Sequence, residues 1–145
     1  MRDAVFKVVN ACCDQSIADQ LTCEADQVVR SEVYRGASSA AAMLFLVAGN
    51  RRVNGAQASG LAYEAAYPAD LAFIRTQTGF EPDSVPPTGH AHPIRAWMDP
   101  RLLEFDKVWA CAGAPALVFS IDPEALRRLA GAVAGDFTGY WAASS

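Results

Sequence analysis

The chain is poor in the residues that usually announce a chemistry. Its four cysteines, at positions 12, 13, 23 and 111, match neither a zinc ribbon nor a CxxC redox motif. Vicinal Cys12 and Cys13 do not readily pair, so reduced, partly buried thiols acting as small hydrophobes are expected. Only two histidines occur, His90 and His92. On a strand, that spacing would put both rings on one face, and such a pair can bind zinc. A catalytic zinc site typically needs a third protein ligand. No HExxH exists, so carboxylates or cysteines would have to supply it. The plainer expectation is no metal, with one histidine hydrogen-bonded inward and one near solvent. GxSxG, Walker and GxGxxG motifs are all missing. Positive charge is also short: 12 basic against 16 acidic residues leave a net charge of −4. A long nucleic acid would favour a basic face. Only Arg51 and Arg52 cluster positive charge, so any nucleic-acid contact is expected to be local, to a single end. No apolar run approaches the roughly 20 residues that span a membrane. The start, MRDAVFKVV, carries an early acidic residue and no long apolar core, so no signal peptide and a cytoplasmic location are expected.

The residues that are present describe an ordinary globular chain. Hydrophobic residues make up 52% and charged residues 19% of 145. That length fits one domain. VFKVV reads as a short strand, and a helix is expected from about Asp14 to Thr22. VVRSEVYR alternates, with Val29, Ser31 and Val33 on one side and Arg30, Glu32 and Tyr34 on the other, as a strand with one polar face does. AAMLFLVAG is continuously apolar and reads as a strand buried on both faces, with GASS before it as a hairpin turn. Helices are expected around Gln57–Ala65 and Ala69–Thr78, the second stopped by Gly79. PIRAWM, KVWACAG and ALVFSI are strand candidates. DPRLLEF and DPEALRRLAG each place Asp before Pro, an N-cap followed by the favoured first helical residue. This order predicts an α+β domain with a mixed, mostly antiparallel sheet and packed helices.

DSVPPTGHAHP (Asp83–Pro93) is the most unusual stretch, with three prolines and two histidines in eleven residues. Proline fixes φ and donates no backbone hydrogen bond, so this is a stiff loop. Cys111, between a strand and a glycine turn, would be a nucleophile only with a base beside it. His90 is a candidate base in space.

The second half of the chain carries a resemblance. TGF, VPPTGH, a strand, DPRLLEFDKVW, the AGAP turn, FSIDPEALRRL and GAVAGDF follow in the order and spacing of the YbaK/ProX aminoacyl-tRNA editing family, the prolyl-tRNA synthetase-associated domain. LTCEADQVVRSEVYRG and LFLVAGNRRVN resemble the segments before them. The likeness runs from about Val5 to Phe137, with one leading helix fewer than the family pattern. It implies a free-standing deacylase that hydrolyses mischarged aminoacyl-tRNA, a small amino acid on proline tRNA being the expected substrate. The acceptor end of tRNA is then the main partner and prolyl-tRNA synthetase a second candidate. No cofactor, no metal and no protein nucleophile is implied. Water, positioned by the pocket and the terminal ribose hydroxyl, attacks the ester. In this likeness Arg30 anchors the terminal nucleotide or ester, and the backbone around Asp83, Ser84 and Val85 faces the carbonyl. Glu32, the loop residues Pro87, Gly89 and His90, and the turn Cys111, Ala112 and Gly113 line the substrate pocket.

Three positions depart from the family pattern, and they bear on catalysis more than on fold. Arg30 stands where a lysine is usual, and a planar fork is not equivalent to a point donor. Glu32 replaces a leucine on the same strand face and can pair with Arg30. Asp83 replaces a glycine, which matters if the position requires φ > 0. A non-catalytic module of the same fold, holding an aminoacyl-adenosine-like ligand or a tRNA end, is the competing reading. An unrelated metal or thiol hydrolase is a third.

Overall fold

Seven consecutive residues, Ala42 to Ala48, are each at most 4% exposed, so this strand must be covered on both faces and paired on both edges. The rest of the fold supplies those partners. The structure, a computed structural model, describes residues 5–8, 16–49, 51–114 and 116–138. Cys12, Cys13 and the first residues of the helix expected from Asp14 lie outside them. In chain order the elements are β1 (Phe6–Val8), α1 (Ser16–Leu21), β2 (Val29–Gly36), β3 (Ala42–Ala48), α2 (Gly55–Ala62), β4 (Ala66–Pro68), α3 (Leu71–Thr78), β5 (Arg95–Met98), β6 (Val108–Cys111), β7 (Leu117–Ile121), α4 (Pro123–Ala130) and β8 (Ala132–Ala134). Turns of 3-10 helix lie at Ala25–Gln27 and Pro100–Glu104.

The class is α+β, as expected, but the strands divide into two sheets rather than one. A five-stranded sheet has the order β4-β2-β3-β5-β8, and a three-stranded sheet the order β1-β7-β6. β2 and β3 form the expected antiparallel hairpin, in register from Val29↔Ala48 to Arg35↔Ala42. β3–β5 and β5–β8 are parallel, and the remaining strand pairs are antiparallel. A lone parallel bridge, Val28↔Trp109, joins the two sheets.

Successive side chains of a strand point to opposite faces, and β3 fills two cores that way. Leu44, Leu46 and Ala48 pack with Val29, Val33, Met98 and Leu126. Met43, Phe45 and Val47 pack with Tyr34, Trp97, Phe137 and the buried alanines of α2. Phe45 is the centre of the second core: Trp97 stacks on it at 5.1 Å, and Phe137 and Tyr34 meet it edge-on at 4.9 and 5.3 Å. Tyr34 is therefore buried, and the polar face expected of β2 is limited to Arg30 and Glu32.

Caps end the helices where the sequence signals them, with three adjustments. Asp70 and Asp122 accept from the N–H groups of Phe73 and Ala125, and Gly79 and Gly131 close α3 and α4 in left-handed conformations. Asp99 caps a 3-10 turn rather than an α-helix. α2 stops at Ala62 instead of Ala65, because Tyr63 turns left-handed at φ 60°, and the residues beyond form β4. α3 starts at Leu71, after the Asp70 cap, rather than at Ala69.

Gly49 ends β3 with φ +55°, and its N–H donates to Val28 O at 2.8 Å. A Cβ there would lie 2.6 Å from Asp26 Oδ1 and 2.7 Å from the Ala25 carbonyl oxygen. Left-handed strain and a backbone clash add, so Gly49→Ala should cost more than about 2 kcal/mol. The expected readout is a lower urea midpoint with an unchanged m-value. An unchanged midpoint would contradict this account of the β3 end.

Candidate functional site

β4 pairs only with Tyr34, Arg35 and Gly36, so no strand covers the outer edge of β2 from Val29 to Val33 among the described residues. A cavity of about 310 Å³ opens at that edge, between the two sheets. Ile17, Trp109, Ala116 and Val118 form an apolar wall, and all four belong to one cluster with Leu21. Val28, Val29, Val85, Pro82 and Leu117 extend it. The polar lining is Arg30, Ser31, Glu32, Asp83 and Cys111.

Arg30 is held from behind. Its Nη1 donates to the carbonyl oxygens of Gly49 and, at 2.9 Å, Arg51, while Nη2 pairs with Glu32 Oε2 at 2.8 Å. Both partners of that ion pair are more than a third exposed, 36% and 40%. A pair so exposed is worth about 0–1 kcal/mol, so a ligand oxygen can displace Glu32 at little cost. The carbonyl anchors are in turn fixed by Asp99, whose side chain is fully buried. Asp99 Oδ2 accepts from Ala48 N–H at 3.2 Å, and Oδ1 accepts from Arg101 N–H at 3.0 Å. Arg51 Nε lies 3.1 Å from Asp99 Oδ2, an ion contact whose N–H is not aligned for a hydrogen bond.

The loop at 82–87 contributes backbone. Pro82, Pro86 and Pro87 have no N–H, which leaves those of Asp83, Ser84 and Val85. Ser84 N–H donates to Glu81 O at 2.9 Å, and Ser84 is buried away from the cavity. Among the described residues, neither Asp83 N–H nor Val85 N–H has a hydrogen-bond partner, and both residues line the cavity. Asp83 is not among the residues with positive φ, so the position does not require glycine and aspartate stands there without strain.

The other sequence-derived candidates fall elsewhere. Pro87, Gly89 and His90 line a second, more open depression of about 340 Å³, together with His92 and Ala130. His90 Nε2 lies 2.7 Å from Pro86 O. A carbonyl oxygen only accepts, so this nitrogen carries the proton and the ring staples the loop. Neither histidine is on a strand, and His90 is not a lining residue of the cavity that holds Cys111. Among the described residues no three His, Cys, Asp or Glu side chains cluster to hold a metal. Ala112 and Gly113 shape the turn instead of lining the cavity. Ala112 N–H donates to Leu117 O at 2.9 Å. Gly113, at φ +95°, lets the turn approach the Phe80 ring, which a Cβ would meet at 3.0 Å. Trp109 was not a sequence candidate. Its signal was present, since it sits two residues before Cys111 on one strand and so shares its face.

The chemistry of Cys111 follows from its surroundings. Burial pushes its thiol above the ordinary cysteine value; the Gly113 and Ala114 backbone contacts oppose this, and the Asp83 carboxylate adds to it. Gly113 N–H reaches Sγ at 3.4 Å. A raised thiol holds less of the nucleophilic thiolate, and no histidine lines this cavity among the described residues.

The aminoacyl-tRNA editing domain family matches residues 13–129. A crystal structure of a candidate trans-editing enzyme for prolyl-tRNA synthetase aligns with TM-score 0.87 and 32% identity, over 94% of this chain and 87% of that one. A scaffold protein from computational epitope grafting aligns at 0.87 and 31%, with the same coverage. A hypothetical protein at 19% identity and TM-score 0.84 shares the fold over 94% of this chain and 91% of its own. No curated protein matches. The fold is that of an editing domain, and the chain belongs to the aminoacyl-tRNA editing domain family. Among the described residues no helix is long and apolar enough to cross a membrane.

The raised thiol predicts slow alkylation. Iodoacetamide labelling of Cys111, followed by peptide mapping, should lag behind a free cysteine at neutral pH and rise only above the ordinary thiol range. Asp83→Asn removes a charge that favours the neutral thiol, so it should lower the pKa and speed labelling. Slower labelling in that variant would show that Asp83 does not act on Cys111.

Proposed function

We propose that the protein is a trans-editing hydrolase that deacylates mischarged aminoacyl-tRNA, releasing a small amino acid from proline tRNA. The whole chain acts as one editing domain, in the cytoplasm where charged tRNA is found. The observation that carries this reading is the make-up of the cavity: an apolar wall together with Arg30 and two residues, Asp83 and Val85, whose backbone N–H groups have no partner among the described residues. The aminoacyl side chain rests on Ile17, Trp109 and Val118. A small site suits a small side chain, because one methylene changes binding by only about 1–3 kcal/mol and shape must supply the rest. Arg30 meets the terminal phosphate or the ester, displacing Glu32. The N–H groups of Asp83 and Val85 receive the carbonyl oxygen as it gains charge, a stabilisation that needs no reorganisation. Water adds to the carbonyl carbon. The ribose oxygen leaves with a proton, giving the free amino acid and a tRNA hydroxyl.

Membership of the editing family and the likeness to a candidate trans-editing enzyme support this reading. One observation favours a second, the binding module without turnover: the Arg30 guanidinium already has three acceptors. Turnover separates the two. The purified chain, tested against a panel of mischarged tRNAs, should hydrolyse a small amino acid from proline tRNA. Arg30→Ala should lower kcat/KM roughly ten- to a hundredfold, a charge-assisted hydrogen bond being worth about 1.5–3 kcal/mol. Glu32→Leu should raise it by freeing one guanidinium edge. Binding without cleavage across the panel would leave only the second reading. Wild-type activity in Arg30→Ala would remove Arg30 from the site.

A further inference from the structure

We propose that Asp83 selects ligands with a free α-ammonium group, so that the cavity takes aminoacyl esters and rejects their N-blocked counterparts. This rests on the editing reading for the ester and adds what holds the amino group. Three charged side chains line the cavity: Arg30, Glu32 and Asp83. The first two neutralise each other at 2.8 Å. Asp83 has no ion pair and no side-chain hydrogen bond among the described residues, so before a ligand displaces Glu32 the cavity holds one uncompensated carboxylate, and it is the one on the turn that bears the Asp83 and Val85 N–H groups. Lys7 and Lys107 lie 5.5 and 5.4 Å from the centre of the Trp109 ring, but neither lines the cavity. Asp83 and Cys111 line this cavity together, distant from Arg30 and Glu32 in sequence but in one space.

The turn that lines the cavity carries both kinds of group an aminoacyl ester needs, backbone N–H and a carboxylate. The amino nitrogen is two bonds from the carbonyl carbon. If the carbonyl oxygen meets the Asp83 and Val85 N–H groups, the ammonium falls within reach of the same residue's carboxylate. The turn is fixed by Ser84 N–H on Glu81 O and by its flanking prolines, so little ordering cost remains. A charge-assisted hydrogen bond is roughly twice as strong as a neutral one. Acylating the amine removes its charge and leaves Asp83 unmatched. Peptidyl- and formylaminoacyl-tRNA would be spared by the same means.

The test uses the full chain and two non-hydrolysable probes read by calorimetry. One is an alanyl-aminonucleoside, in which an amide replaces the ester. The other is its propionyl counterpart, which lacks only the amino group. The parent should bind the alanyl probe about tenfold or more tightly, as an added charge-assisted contact implies. Asp83→Asn should lose that preference, and Asp83→Glu should recover part of it. Thermal unfolding checks that both variants fold, as expected for an exposed turn residue. Equal binding of the two probes by the parent, binding of neither, or a preference that survives Asp83→Asn would overturn the proposal. A parallel assay on proline tRNA mischarged with alanine and other small amino acids separates the claims. Preference without ester hydrolysis sinks the editing reading alone, and hydrolysis without preference sinks this inference alone.

Discussion

Everything in this structure is arranged around the burial of β3. Seven apolar residues with no polar face cannot lie at a surface, so both sides of the strand need a layer. Parallel β5 on one edge and antiparallel β2 on the other satisfy its backbone. That choice has a consequence for the site. With β3 on its inner side and short β4 reaching only its far end, β2 has no strand on its outer edge at Arg30 and Glu32 among the described residues. The second sheet packs beside this edge, sharing a core in which Val29 and Val33 meet Val108, Ala110, Phe119 and Ile121, with the Val28–Trp109 bridge at one end, and the cavity opens between the sheets.

The end of β3 also sets the position of the cationic group. Gly49 takes a backbone conformation that favours glycine, next to Asp26 and Ala25. Its carbonyl and that of Arg51 then face the Arg30 guanidinium. Asp99, buried at the end of β5, locks this turn by accepting from Ala48 and contacting Arg51. The setting of Arg30 is matched to a guanidinium. The planar fork gives one nitrogen to the two carbonyls and the other to Glu32, in fixed directions.

Much of the fold was legible in the sequence because its signals are local. The apolar run of β3, the hairpin turn, the Asp caps and the Gly stops each state their own conformation. β4 and β8 were not legible, since three residues are too few to show a period. The site was legible in part. Arg30, Glu32, Asp83, Val85 and Cys111 do converge, on one cavity, though they come from three separate segments. Pro87, Gly89 and His90 belong to the same stiff loop as Asp83, yet they face another depression. A loop has no period from which to read its facing, and the Ser84–Glu81 and His90–Pro86 bonds that turn it are set by the folded backbone. The apolar wall was missed because it is assembled from α1, β6 and β7, which only tertiary packing brings together.

The central claim is that the cavity beside β2, not the histidine-lined depression, receives the aminoacyl end of the ligand. Amide NMR spectra recorded during titration with an alanyl-aminonucleoside test it most directly. The account predicts the largest shifts at Arg30, Asp83, Val85, Trp109 and Cys111, with Gly89, Ala91 and His92 little changed. Shifts concentrated at Gly89–His92, with Arg30 and Asp83 silent, would contradict it.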